Sequence, residues 1–111
     1  MSAKAMTPAL VSELAERFKA LGEPARLQLL NALRDGERTV NELVEITGLG
    51  QANVSKHLQQ LHACGYLKRR KVGTFAHYSL AGGDIFVLCD LMCGRIEEEQ
   101  RGRRAALRLA K

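Results

Sequence analysis

A mainly helical chain with a single β-hairpin is what the sequence predicts, on three observations. Apolar residues recur at helical spacing through four segments before residue 64 and again after residue 84. Between them lies one stretch, YLKRRKVGTFAHYSL, rich in basic, aromatic and β-branched residues, which reads as two strands around Val72-Gly73-Thr74. The length of 111 residues, with 46% hydrophobic and 26% charged side chains, suits one compact soluble domain and is too short for two. The predicted order is α-α-α-α-β-β-α within a single domain, residues 1–111.

Thr7-Pro8 reads as a helix start, with the hydroxyl at the N-cap and proline at the first helical position, followed by Leu10, Val11, Leu14, Phe18 and Leu21 at helical spacing. Gly22 ends this helix, and Pro24 opens a second whose Leu27, Leu30 and Leu33 stripe runs to Asp35-Gly36. Thr39 caps a short third helix, with Glu42 placed to complete a capping box and Leu43 and Ile46 facing inward. After a tight turn over Thr47 to Gly50, a fourth helix from Gln51 to Ala63 carries Val54, Leu58 and Leu61 on one face. Two short helices joined by a glycine-containing turn make a helix-turn-helix, and the hairpin that follows supplies a wing, so the fold class is a winged helix-turn-helix. From Asp84 the helical pattern returns with Ile85, Leu88, Met92 and Ile96 on one side, and continues across Gly102 into the tail RGRRAALRLAK. Glu97, Glu98 and Glu99 precede Arg101, Arg103 and Arg104 at offsets that favour local ion pairs on a solvated helix.

The net charge of +5 is concentrated. From Ile46 to Gly83 there is no Asp or Glu, whereas Lys56, Lys68, Arg69, Arg70 and Lys71 all lie inside, and the other 12 basic and 12 acidic residues cancel. One acid-free third of the chain therefore holds the whole excess, the pattern of a face built for a polyanion. On the fourth helix, the side opposite the apolar stripe presents Gln51, Asn53, Ser55, Lys56 and Gln59, with His57 near the boundary. Gln and Asn make paired hydrogen bonds to adenine edges, Ser meets base or phosphate, and Lys meets guanine or phosphate, which suits a helix entering a major groove. Lys68, Arg69, Arg70 and Lys71 alternate between the two faces of a strand and have no acidic neighbour in sequence, which suits phosphate contacts. The competing readings are an ordinary solvated helix face and a charged edge strand that discourages aggregation.

Other classes fit less well. No apolar run approaches the ~20 residues needed to span a bilayer, and the N-terminus lacks the apolar core and cleavage site of a secretory signal, so a cytoplasmic protein without a membrane partner is expected. Three cysteines, an odd count, argue against a disulfide framework. His57, His62 and His77 stand in no metal or nucleophile spacing with the cysteines, and no glycine-rich phosphate loop follows a strand, so an enzyme is not expected.

LGEPARLQLLNAL followed by TVNELVEITGLGQANVSKHLQQLHACGYLKRRKVGTFAHYSL resembles the ArsR/SmtB family of bacterial winged-helix repressors over roughly residues 9 to 100. NVSKHLQQL and the passage from Gly65-Tyr66-Leu67 into the basic hairpin carry most of that likeness. The resemblance implies a homodimer joined through the first and last helices, residues 84–111 being dimerisation helix and tail. It also implies a transcriptional regulator, autoregulatory in the usual case, that binds double-stranded DNA and releases its operator when an inducer binds. Two-fold symmetry would place the recognition helices one DNA turn apart and call for an inverted-repeat operator. One departure is local: the family commonly has Ser where this chain has Gly50 or Gln51, so the recognition helix starts without a side-chain cap. The alternative is a non-sensing architectural or partner-binding winged helix.

The family's inducer positions are mostly vacant. The arsenic-type cysteine run on the third helix is replaced by Glu42-Leu43-Val44-Glu45; the zinc-type set falls on Gly82, Asp84, Arg95 and Glu98, without its histidines; of the persulfide pair, Val44 replaces the first cysteine and Cys93 lies about a turn from the second. What remains is FVLCDLMCG, where Cys89 and Cys93 stand four apart on one helix face. Three readings stay open: small apolar side chains in a buried seam, ligands of a soft metal or metalloid ion held by thiolates, or a thiol redox pair. Two thiolates alone are too few for tetrahedral metal, so the symmetry mate or Cys64 would have to complete the set. Cys64 itself is most simply a helix-end residue.

Overall fold

A computed structural model describes residues 5–109. Residues 1–4 and 110–111, inside the expected domain and its tail, lie outside the described residues. Backbone contacts divide the chain into residues up to Ala81 and residues from Gly82 onward.

In the first unit, α1 (Pro8–Leu21) and α2 (Pro24–Ala32) each begin at a proline whose missing N–H costs nothing at a helix start. The Thr7 hydroxyl accepts from the Leu10 N–H at 3.2 Å. At α2 the cap is a carboxylate, Glu23, accepting from the Arg26 N–H at 3.2 Å, where the positive end of the helix favours an anion. α2 stops at Ala32 rather than running to Asp35-Gly36, and its chain turns through Leu33 with the Gly36 N–H returning to the Leu33 carbonyl at 3.3 Å.

Next comes an element that the sequence reading lacks: a two-residue strand, β1 (Arg38–Thr39). Thr39 then caps α3 (Val40–Thr47), its hydroxyl accepting from the Glu42 N–H at 3.2 Å while the Glu42 carboxylate accepts from the Thr39 N–H at 2.9 Å, so the expected capping box is present. Gly48 closes α3 in the left-handed conformation, φ 73°, which L side chains rarely adopt. α4 (Gln51–Ala63) follows, with Gly50 at its N-cap and no side-chain capping bond, as its sequence implied.

The hairpin consists of β2 (Leu67–Val72) and β3 (Phe75–Leu80), with Val72 opposite Phe75 across the two-residue loop Gly73-Thr74. Gly73 has φ 61°, and no other residue type among the described residues has positive φ, so the loop has the form that matches strand twist with glycine first. β3 also pairs antiparallel with β1, Arg38 opposite Tyr78 and Thr39 opposite His77, which makes a three-stranded sheet in the order β1-β3-β2. The fold class is therefore the predicted one, mainly helical with a β-hairpin wing, and β1 adds a third strand that anchors the wing to the start of α3.

The core is assembled from Leu29, Leu30 and Leu33, Leu43 of α3, and Val54, Leu58 and Leu61 of α4, all fully buried, with Leu67 and Tyr78 from the hairpin. Two expected core residues are not in it: Leu27 is 41% exposed and Ile46 51%. At ~100° per residue, Leu29, Leu30 and Leu33 occupy one arc of α2 with Leu27 displaced from its centre, so the buried face is turned by one position from the predicted stripe. On α1 the stripe has the expected spacing, yet Leu10, Val11, Leu14 and Phe18 are 37–49% exposed and only Ala20 is buried.

The second unit contains α5 (Asp84–Leu109), a continuous helix that runs through Gly102. Its Val87, Leu88, Leu91, Met92 and Ile96 are 41–71% exposed. No helix among the described residues is long and apolar enough to cross a membrane.

Candidate nucleic-acid interface

α4 is fixed in orientation by both apolar and polar means. Val54, Leu58 and Leu61 set which side faces inward, and this leaves Gln51, Asn53, Lys56 and Gln59 exposed on the others, with Ser55 half-buried at the margin. His57 is different. Its side chain is only 14% exposed, and its Nε2 lies 3.8 Å from the Glu23 carboxylate while its Nδ1 lies 3.4 Å from an Arg26 nitrogen and 3.2 Å from the Gln60 Oε1. Of the six residues expected to face DNA from this helix, His57 alone is engaged inward, against the N-terminus of α2.

Arg26 makes that engagement possible, and sequence reasoning missed it. Its guanidinium donates to the Gln60 Oε1 at 2.9 Å, to the Lys19 carbonyl at 3.2 Å and to the Ala20 carbonyl. One side chain thus bonds carbonyls in the last turn of α1, adding to the Gly22 N–H that reaches the Lys19 carbonyl at 3.1 Å, and ties them to α4. A second strut joins the same two regions: the Tyr66 hydroxyl donates to the Arg17 carbonyl at 2.9 Å. The only sequence signal for either was position, an arginine in the first turn of α2 and a tyrosine just past α4, and neither carries a periodicity.

On the wing, Leu67 alone of β2 is buried and Lys68, Arg69, Arg70, Lys71 and Val72 are exposed. Strand alternation puts Lys68 and Arg70 on one face with Ser79 and His77 opposite them, and Arg69 and Lys71 on the face shared with Leu67 and Tyr78. All four basic residues remain at the surface, but they are not equivalent. Arg70 donates two hydrogen bonds to Glu37, from Nε at 3.1 Å and from a terminal nitrogen at 2.6 Å. Glu37 comes from the segment before β1, outside the acid-free stretch, so no local pattern foretold the pair. The Arg70 hydrogen bond holds the Glu37 carboxyl below the usual carboxylate range, and the same contact raises Arg70. The His77 Nδ1 lies 3.8 Å from the same Glu37 oxygen.

The cysteines form no comparable cluster. Cys64 caps the end of α4 and is half-buried; Cys89 is half-buried and Cys93 exposed, one turn apart on α5. Among the described residues no group of three or more His, Cys, Asp or Glu side chains is placed to hold a metal ion. Two thiols from a single chain do not complete a soft-metal site.

Comparison with known proteins places this geometry. The profile described as "Bacterial regulatory protein, arsR family" matches residues 23–69, which run from the cap of α2 into the wing. A solution structure from Mycobacterium bovis, described as a homodimeric winged helix-turn-helix DNA-binding domain and a possible ArsR-family regulator, is 33% identical with a TM-score of 0.74, covering 90% of this chain and 94% of that one. The chain belongs to the ArsR family. A crystal structure of the antimony-specific transcriptional repressor AntR superposes with a TM-score of 0.76 at 29% identity over 91% of this chain and 92% of the other. Among curated proteins, a probable mercury resistance operon repressor of Streptomyces lividans is 46% identical over 63 residues, 57% of this chain and 50% of that protein. The chain spans about half the length of that relative and 34% of a Mycobacterium tuberculosis regulator it also matches.

Proposed function

We propose that this ArsR-family chain is a cytoplasmic, homodimeric transcriptional repressor that reads an inverted-repeat operator with α4 and holds phosphates with its wing. The observation that carries the reading is the pairing, within one unit, of a rigidly oriented helix whose outer face is Asn, Gln and Lys with a hairpin that exposes four consecutive basic residues. Gln51, Asn53, Ser55, Lys56 and Gln59 contact the major groove, Lys68, Arg69, Arg70 and Lys71 contact the backbone, and His57 acts by fixing the helix. The exposed apolar stripes of α1 and α5 support the dimer, since such rows on a small domain call for a covering surface. The test is mobility shift with duplex from upstream of the protein's own gene, in parallel with light scattering on the free protein. A retarded complex from a dimeric protein is expected, and a monomer with no retardation at low salt sinks the proposal.

Whether an inducer acts through sulfur is a separate matter. Relatives are named for mercury and antimony, and Cys89 and Cys93 are the only two thiols that one helix of this chain brings together. These names support an inducer-responsive repressor, with the symmetry mate supplying the further ligands that a thiolate site at α5 would need; the second reading is a regulator whose occupancy follows its concentration alone. DNA release with arsenite, cadmium, zinc or a mild oxidant, compared between wild type and Cys89→Ser/Cys93→Ser, decides between them: thiol-dependent release supports sensing, and none supports the second reading.

A further inference from the structure

We propose that Glu37 is an internal competitor for DNA phosphate, a carboxylate that occupies the Arg70 fork in the free protein and must yield it when the wing meets the backbone. The inference rests on the DNA-binding reading above and deepens it by naming a residue that sets affinity without touching DNA.

The geometry is that of a phosphate mimic. A guanidinium fork matches carboxylate and phosphodiester alike, since each presents two oxygens to two parallel N–H groups. Arg70 presents Nε and a terminal nitrogen to the two oxygens of Glu37 at 3.1 and 2.6 Å. Glu37 therefore holds the Nε edge of the guanidinium, one of its two bidentate edges and a match for a backbone phosphate. Arg70 is nevertheless 61% exposed and Glu37 32%, and exposed ion pairs contribute little, so the exchange is reachable at ordinary DNA affinity. Lys68, Arg69 and Lys71 take part in no corresponding pair among the described residues, which singles out Arg70 as the wing cation with a resident anion. His77, 3.8 Å from the same oxygen, sits directly across the β2–β3 ladder from Arg70 and leaves the carboxylate a second cationic neighbour, when protonated, after the arginine has gone.

Exchange has a consequence for salt. An arginine that starts out paired with solvent anions contributes fully to the ion release that accompanies phosphate neutralisation. One that starts out paired with Glu37 leaves behind a carboxylate that takes up a cation, which offsets part of that release. Removing Glu37 should then both tighten binding and steepen its salt dependence, on every sequence alike because the contact is to phosphate.

The experiment is a four-member cycle of wild type, Glu37→Gln, Arg70→Gln and the double variant, titrated by fluorescence anisotropy across a salt series. The probes are a random-sequence duplex and a duplex selected by the wild-type protein from a randomised library. Glu37→Gln is expected to bind both duplexes tighter by a factor on the order of three to ten at low salt, where screening is least, with the gain fading as salt rises. In the Arg70→Gln background the same substitution should give no gain, and Glu37→Ala should repeat the pattern with no acceptor left at all. An equal gain in both backgrounds means that Glu37 only repels DNA at a distance, and overturns the competition. A loss on Glu37→Gln means that it holds Arg70 ready for DNA, and overturns it in the opposite sense. Failure of the wild type to bind either duplex overturns the DNA-binding reading itself, whereas wild-type binding with no effect of Glu37 overturns this inference alone.

Discussion

The recognition helix and the wing are built to opposite standards. α4 buries three side chains completely and is tied from outside by Arg26 through Gln60 and His57, with the Tyr66 strut close behind it. β2 buries Leu67, exposes the five residues after it, and is held by its ladder to β3 and one surface ion pair. Base recognition depends on donor and acceptor positions and tolerates little rotation, whereas phosphate contact asks only that charge be within reach. The two halves of the interface should therefore fail differently.

The largest effect is expected where the helix is held. Leu58→Ala removes a fully buried side chain from the centre of α4 and should cost about 2–5 kcal/mol in denaturant unfolding, enough to threaten a domain of this size. Lys68→Ala with Lys71→Ala should leave the unfolding midpoint where it was and weaken binding to all duplexes, flattening the salt slope by about one unit for each phosphate no longer neutralised. Loss of fold in the wing pair, or unchanged stability in Leu58→Ala, would erase the contrast between the two regions.

Arg26→Met should fall between them. The substitution keeps much of the aliphatic bulk but removes the donor to the Ala20 carbonyl and the bonds to Gln60 and to Lys19, whose carbonyl keeps the Gly22 N–H, a cost of about 1 kcal/mol. Because these bonds orient α4, the selected duplex should lose affinity by more than random duplex does. Asn53→Ala, on the exposed face, should likewise weaken the selected duplex by roughly tenfold and spare random DNA, since a bidentate hydrogen-bond pair to a base is worth about 1–3 kcal/mol, but should leave stability untouched. Equal losses of the two duplexes with either variant would mean that α4 does not discriminate.

These expectations also mark what was readable in advance. Val54, Leu58 and Leu61 repeat at helical spacing, Thr39 and Glu42 stand at capping-box spacing, and Gly73 sits where a tight hairpin needs it, so each local rule points to the element observed. Leu27 and Ile46 are exposed against expectation because a short helix with apolar residues on several sides, leucines on α2 and Val40, Leu43, Val44 and Ile46 on α3, has more than one plausible inner face, and only tertiary packing chooses. Arg26 and Glu37 were invisible for another reason: their partners lie 34 and 33 residues away, and a hydrogen bond between distant side chains leaves no periodic trace. The strand β1, two residues long, is shorter than any alternation could reveal. The polar connections that orient the interface were thus the least legible part of it.

The smallest effect belongs to the cap of α3, the helix that packs beside α4 in the helix-turn-helix. Thr39→Ala removes the hydroxyl that accepts from the Glu42 N–H and should cost about 1 kcal/mol, read as a lower melting temperature with duplex selectivity retained. Glu42→Gln preserves an acceptor for the Thr39 N–H and removes only charge, so it should cost less. The two can be told apart by pH. The Thr39 backbone N–H, followed by its hydroxyl, holds the Glu42 carboxyl below its ordinary value of 4.5. A carboxylate whose folded value is depressed stabilises the fold above its unfolded value and loses that contribution as pH falls through the folded one. The gap in melting temperature between wild type and Glu42→Gln should accordingly be constant above pH 4.5 and close below it. A gap that persists unchanged into acid would show that the neutral hydrogen bond, rather than the charge, is what the third helix draws from Glu42.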